Sequence, residues 1–100
     1  MSQTLEQLKA QHGVVYTVSV KNSKGEIITI YLRDMDRIVY KSVSALIQKD
    51  ELMGVESMIR SLYVGGDSVD KIVNDFQALR NASVTIAPII TAEAGELKKN

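Results

Sequence analysis

The stretch HGVVYTVSVKNSKGEIITIYLRD, residues 12–34, constrains this chain more than any other. Apolar and polar residues alternate on both sides of the compact Asn22-Ser23-Lys24-Gly25 run, the pattern of two half-buried strands joined by a tight turn. If Gly25 takes the left-handed conformation of a type I turn with a G1 bulge, Asn22 opposes Glu26 and the register follows. Val20 then pairs with Ile28, Val18 with Ile30 and Tyr16 with Leu32, all on one face. The other face receives Lys21 with Ile27, Ser19 with Thr29, Thr17 with Tyr31 and Val15 with Arg33. A slip of one residue would mix the two sets, so the pattern selects this turn. One face is apolar and the other mixed. Because a two-stranded hairpin is marginal in water by itself, the apolar face must be covered by the rest of the chain.

Before the hairpin, Thr4 and Gln7 have the spacing of a capping box, and Leu5 and Leu8 share a face, which predicts a short helix ended by Gly13. After Leu32 the apolar period changes from two to about 3.6. Asp34 or Asp36 can cap a helix carrying Ile38, Val39, Val43, Leu46 and Ile47 inward and stopping near Lys49. Asp50 opens a second, with Leu52, Val55, Met58, Ile59 and Leu62 in a stripe, stopped by a glycine cap at Gly65-Gly66. Asp67 or Ser68 opens a third, with Val69, Ile72, Val73, Phe76 and Leu79 inward, and Asn81 to Ser83 read as a break. In the last segment, VTIAPIITAEAGELKKN, the β-branched residues and Pro88 favour an extended start, whereas ITAEAGELKK with its acids before its bases reads as helix; a helix beginning near Pro88 is the expectation. The expected fold is α+β: an N-terminal short helix, one antiparallel hairpin at about residues 14–33, and three to four helices in about residues 35–99, packed on one hairpin face. Together these make residues 1–100 one domain.

Charge and composition narrow the chemistry. Lys+Arg and Asp+Glu number 12 each, so no net field draws the chain to nucleic acid or anionic lipid, and neither is an expected partner. The absence of cysteine removes disulfides, thiolate metal sites and thiol nucleophiles, and suits a reducing compartment. MSQTLEQLKAQ lacks the basic start and apolar centre of a signal peptide, and no apolar run approaches a membrane span. His12, the single histidine, reads as a solvent-facing helix-end residue. The pairs Asp34/Asp36, Asp50/Glu51 and Asp67/Asp70 all fall at expected helix starts, where capping accounts for them. Gly65-Gly66-Asp67 lacks the lysine spacing of a phosphate loop, and the serines, Ser42, Ser44, Ser57, Ser61 and Ser68 among them, have no nucleophile-elbow context. Met53 and Met58, at helical spacing, read as core fillers. The expectation is a protein with no catalytic site, no cofactor and no metal.

The order of landmarks adds a further reading. LKAQHGVVYTVSV, the turn NSKGE, the strand IITIYLRDMDR, then QKDELMGVESMI, LYVGGD and the terminal AEAGELKKN resemble small proteins of tailed bacteriophages. There a sequence like LKxKxGxVYxxxV leads into a hairpin, followed by a helical region with a centre like KDPL…GGD and an end like KEGELKK. These are similar to tail assembly chaperones. The chain departs from the pattern at Glu51, where a helix-starting proline is usual, and at Pro88. The resemblance implies a non-enzymatic morphogenesis factor in the cytoplasm of the host bacterium, binding the tape measure protein or tail tube protein. The alternatives are a structural virion component, such as a connector or decoration subunit, and a small phage inhibitor sequestering a host factor.

The mixed face of the hairpin then acquires a role. Val15, Thr17, Ile27, Thr29 and Tyr31 form a patch edged by Lys21 and Arg33, and two strands alone leave both outer edges with unpaired backbone groups. This predicts a homo-oligomer whose contact includes the hairpin. The competing expectation is that the C-terminal segment, with its β-branched Val84-Thr85-Ile86, folds back over that face within one chain.

Overall fold

The computed structural model describes residues 4–90 together with Leu97 and Lys99. Helix α1 (Leu5–His12) begins with the reciprocal cap its sequence encodes: the Gln7 N–H donates to the Thr4 hydroxyl at 3.2 Å and the Thr4 N–H to the Gln7 side chain at 2.9 Å. Gly13, at φ 80°, ends it. Strands β1 (Val15–Lys21) and β2 (Ile27–Arg33) pair antiparallel in the expected register, from Val15 with Arg33 to Lys21 with Ile27. Gly25 has φ 81°, and the Asn22 side chain fastens the turn by accepting the N–H groups of Lys24 and Glu26, each at 2.9 Å.

The sheet has a third strand that the sequence reading placed at a helix end. Helix α3 stops at Leu62, and the chain continues extended as β3 (Tyr63–Gly66), antiparallel to β2 with a bulge opposite Tyr31/Leu32. Gly65-Gly66 is therefore strand, not a helix cap. At Gly66 the reason is steric: with φ 93° its backbone lies so close to β2 that a Cβ would stand 2.6 Å from the Thr29 carbonyl oxygen. Asp67 completes the ladder, its N–H donating to the Thr29 carbonyl at 2.8 Å and its carboxylate accepting the Thr29 N–H at 2.9 Å. The strand order is β1-β2-β3, so β2 is central.

Helix α2 (Arg37–Lys49) is capped by Asp36, whose carboxylate accepts the Val39 N–H at 2.8 Å. Val43 is buried, and Val39 and Ile47 pack against the core, but Ile38 is 82% exposed. It shares a face with the exposed Ser42, Ala45 and Lys49 rather than with Val39 and Val43. Asp50 caps α3 (Glu51–Leu62), which buries Val55, Met58, Ile59 and Leu62 as expected, whereas Met53 is exposed. The third expected helix is split. A single turn, α4 (Asp70–Val73), gives way to α5 (Phe76–Ile90), which Asp75 caps by accepting the Ala78 N–H at 2.9 Å. That restart resets the helical phase and turns Phe76 outward, 65% exposed. Asn81 to Ser83 lie inside α5 rather than at a break, because Ala82 is buried and the Asn81 side chain bonds the Lys21 carbonyl at 2.9 Å. Pro88 lies inside α5 and does not start a helix; the rest of the helix expected there, over residues 91–96, lies outside the described residues.

Val18, Val20, Ile28, Ile30 and Leu32 present the apolar sheet face to Val55, Met58, Ile59 and Leu62 of α3, to Ile72 of α4, and to Ala78, Ala82 and Ile86 of α5. Each such side chain contributes roughly 1.5–3 kcal/mol of gross stabilisation before chain entropy is subtracted. The class is α+β: an N-terminal short helix, a three-stranded antiparallel sheet and helices on one sheet face.

Candidate protein-binding surface

The second face of the sheet is smaller than two strands alone suggest. Leu8 of α1 is fully buried and lies 3.1 Å from where a Cβ at Gly65 would be, beside the Tyr31 ring. Cross-strand partners share a face, and Gly65 pairs with Tyr31, so α1 covers this end of the mixed face. Val15, Thr29 and Tyr31 are half-buried; Thr17 and Ile27 are exposed. Ser19 and Thr29 hydroxyls bond one another at 2.9 Å across it. β3 occupies the outer edge of β2, which corrects the expectation of two open edges. On β1, Asn81 takes up the outward Lys21 carbonyl. The segment Val84-Thr85-Ile86 is helical in α5 and does not cover the face as strand, and residues 91–96 of the same C-terminal segment lie outside the described residues.

A more apolar exposed surface runs along α5. Phe76, Arg80, Ser83, Ala87 and Ile90 recur at alternating spacings of four and three, a stripe that stays on one side of a helix as in a coiled-coil seam. Val84, 77% exposed, flanks it. Beside Phe76, Arg80, Ser83 and Val84 lies an open cleft of about 310 Å³ whose other wall is Glu51 and Leu52 of α3. It adjoins a second of about 140 Å³ lined by Ile47, Glu51, Val55, Ser83, Ala87 and Ile90. Ile90 also lines a third, of about 280 Å³, with Met35 and Tyr40. The first two share Glu51 and Ser83 and the second and third share Ile90, so the three follow one another along α5 as a groove of about 21 Å at 1.5 Å per residue. Two charges mark its middle, and Asp34, Asp36 and Arg37 line its far end. Arg80 stands 5.7 Å from the centre of the Phe76 ring, and Glu51 accepts the Ser83 hydroxyl at 3.3 Å.

The groove is held by bonds that link distant parts of the chain. Asp75 accepts the Ser23 N–H at 3.2 Å and the Ser23 hydroxyl at 2.6 Å while capping α5, joining the hairpin turn to the helix. The Ser23 hydroxyl first, and the Ala78 N–H second, hold the Asp75 carboxyl below its ordinary value. Asp36 is lowered in the same sense, chiefly by the Val39 N–H. Arg60 binds Asp70 at 3.1 Å and Glu56 at 3.3 Å, fastening α3 to α4.

Of the acids considered from sequence, Asp36 and Asp50 cap helices, Asp67 completes the sheet and Asp70 pairs with Arg60. His12 is exposed at the end of α1. Among the described residues no three His, Asp or Glu side chains are grouped to hold a metal ion, and no helix is long and apolar enough to cross a membrane. Phe76, Arg80 and Glu51 escaped the sequence reading as surface residues. Their signal, the four-three spacing of residues 76–90, was hidden by the supposed break at Asn81. No family model, curated protein or solved structure matches this chain.

Proposed function

We propose that this chain is a non-catalytic phage morphogenesis protein of the tail assembly chaperone type, whose α5 groove holds an apolar helical segment of the tape measure or tail tube protein. The observation that carries the reading is the four-three stripe with Phe76 exposed on it and Val84 exposed at its flank, beside Leu52. A helix laid in a groove is recognised through anchors at such spacings. Ser83 and Ala87 are small and allow a close approach in the middle of the stripe. The resemblance of the hairpin and of QKDELMGVESMI and LYVGGD to tail assembly chaperones supplies the identity of the client. Masking would be reversible: the groove shields apolar helix in the host cytoplasm until the growing tube encloses it.

Mass spectrometry of purified virions, set beside capture experiments with tail proteins, tests this. A chaperone binds tail proteins and is absent from finished particles. Stoichiometric presence in the particle would make it a structural component instead, and capture of host proteins with no tail protein would make it a sequestering factor.

A further inference from the structure

At its middle the groove carries two opposite charges, Glu51 and Arg80, of the kind a second copy of the same surface would satisfy. Among the described residues, Glu51 meets a hydroxyl and no cation, while Arg80 meets an aromatic ring and no carboxylate. Both are exposed. Ser83 follows Arg80 in the stripe, bonds Glu51 of α3 and lines both main clefts with it.

We propose that in the absence of a client the α5 groove is occupied by the α5 helix of a second copy, antiparallel across a two-fold axis near Ser83, with Arg80 of each copy paired to Glu51 of the other. The argument is charge complementarity under symmetry. In an isologous contact every pair occurs twice, so one acid and one base flanking the axis give two cross-copy ion pairs from one arrangement. An antiparallel partner centred at Ser83 places its residue 80 beside residues 86–87 of the first helix, on the flank where Glu51 stands. Phe76 of one copy then comes over the Ile90 end of the other. The contact hides the apolar stripe, and the client helix must displace the second copy to enter. This rests on the reading of the α5 groove as a helix-binding surface and adds its regulation.

The test is the mass of the full-length protein by sedimentation equilibrium at high micromolar concentration, with circular dichroism as the folding control. Wild type should be a dimer. Glu51→Arg and Arg80→Glu should each weaken it at least tenfold, by setting like charges against one another. The double variant restores both pairs with their signs exchanged and should dimerise again. An equimolar mixture of the two single variants should form the mixed dimer that neither forms alone. Should Glu51→Arg disturb α3, Phe76→Glu on exposed α5 serves as the second disruptive variant. A monomeric wild type overturns the proposal. So does a dimer indifferent to both reversals, which would place self-contact elsewhere, as at the hairpin. Failure of the folded double variant and of the mixture to recover overturns the ion pairing. A monomeric wild type that still binds tail proteins would leave the chaperone reading standing, whereas stoichiometric presence in the virion would remove that reading without changing the dimer mass.

Discussion

Replacing Gly66 by alanine probes the part of the fold that departs most from sequence expectation. Two costs are combined at this position. The backbone is at φ 93°, a left-handed conformation that costs an L-residue roughly 1–2 kcal/mol. In addition, the new methyl would stand 2.6 Å from the Thr29 carbonyl oxygen and 2.9 Å from the Ile30 Cα. Both are backbone atoms of the central strand and cannot swing aside. Overpacking of this kind costs about 1–3 kcal/mol more, and the loss of unfolded-chain freedom returns only about 0.4–1 kcal/mol. Gly25 is the internal control, since it has φ 81° but nothing within 4 Å of its Cβ position. The two substitutions share the conformational term and differ in the steric one. Urea denaturation followed by circular dichroism should place Gly66→Ala about 1–3 kcal/mol below Gly25→Ala, a further fall in Tm of roughly 4–24 °C for a domain of this size. Gly65→Ala should be milder than Gly66→Ala, because its obstruction is the tip of the Leu8 side chain. Equal losses for Gly66→Ala and Gly25→Ala would refute the close packing of β3 on β2.

Two other perturbations have defined signs. Val18, 2% exposed at the centre of the apolar sheet face, should not tolerate a carboxylate: Val18→Asp is expected to cost about 4 kcal/mol or more and leave much of the chain unfolded, and a wild-type Tm would show that the core face is misassigned. Asp75 and Asp36 have folded-state pKa values below the ordinary carboxylate value, the first chiefly through the Ser23 hydroxyl and the second through the Val39 N–H. Their contributions are therefore present above the unfolded pKa, near pH 4, and are lost as pH falls through the folded values. Asp75→Asn should be less stable than wild type at neutral pH, and the difference should shrink on acidification below about pH 4; thermal melts that keep a constant difference down to strong acid would contradict this.

The hairpin was legible in full because its evidence is local. Alternation of period two, the Asn22 to Gly25 turn and the cost of a one-residue slip together leave one register, and that register is observed. The capping box at Thr4 and Gln7 was legible for the same reason. β3 was not, since it is short, contains two glycines and is specified by contacts with a strand more than thirty residues earlier. Nothing local distinguishes Gly66 in a strand from glycine at a helix end. Asn81 misled in a related way: its amide looked like a helix breaker, yet it is engaged by the Lys21 carbonyl on the sheet edge. Continuing the phase of Val69 and Ile72 through Asp75 points Phe76 inward, but the helix restarts there and Phe76 faces out. The groove became visible only once α5 was seen to run unbroken from Phe76 to Ile90.

The claim that α5 shields an apolar helix of a tail protein is tested most directly by co-expressing this chain with a phage tape measure protein and measuring how much tape measure protein stays soluble and co-purifies. Phe76→Arg together with Val84→Arg is the informative variant, because both side chains are exposed and their replacement leaves the core intact. The account predicts soluble, co-purifying tape measure protein with the wild type, and a loss of both with the double variant while its circular dichroism stays native. Equal recovery with wild type and variant, or no effect of the wild type, would contradict it.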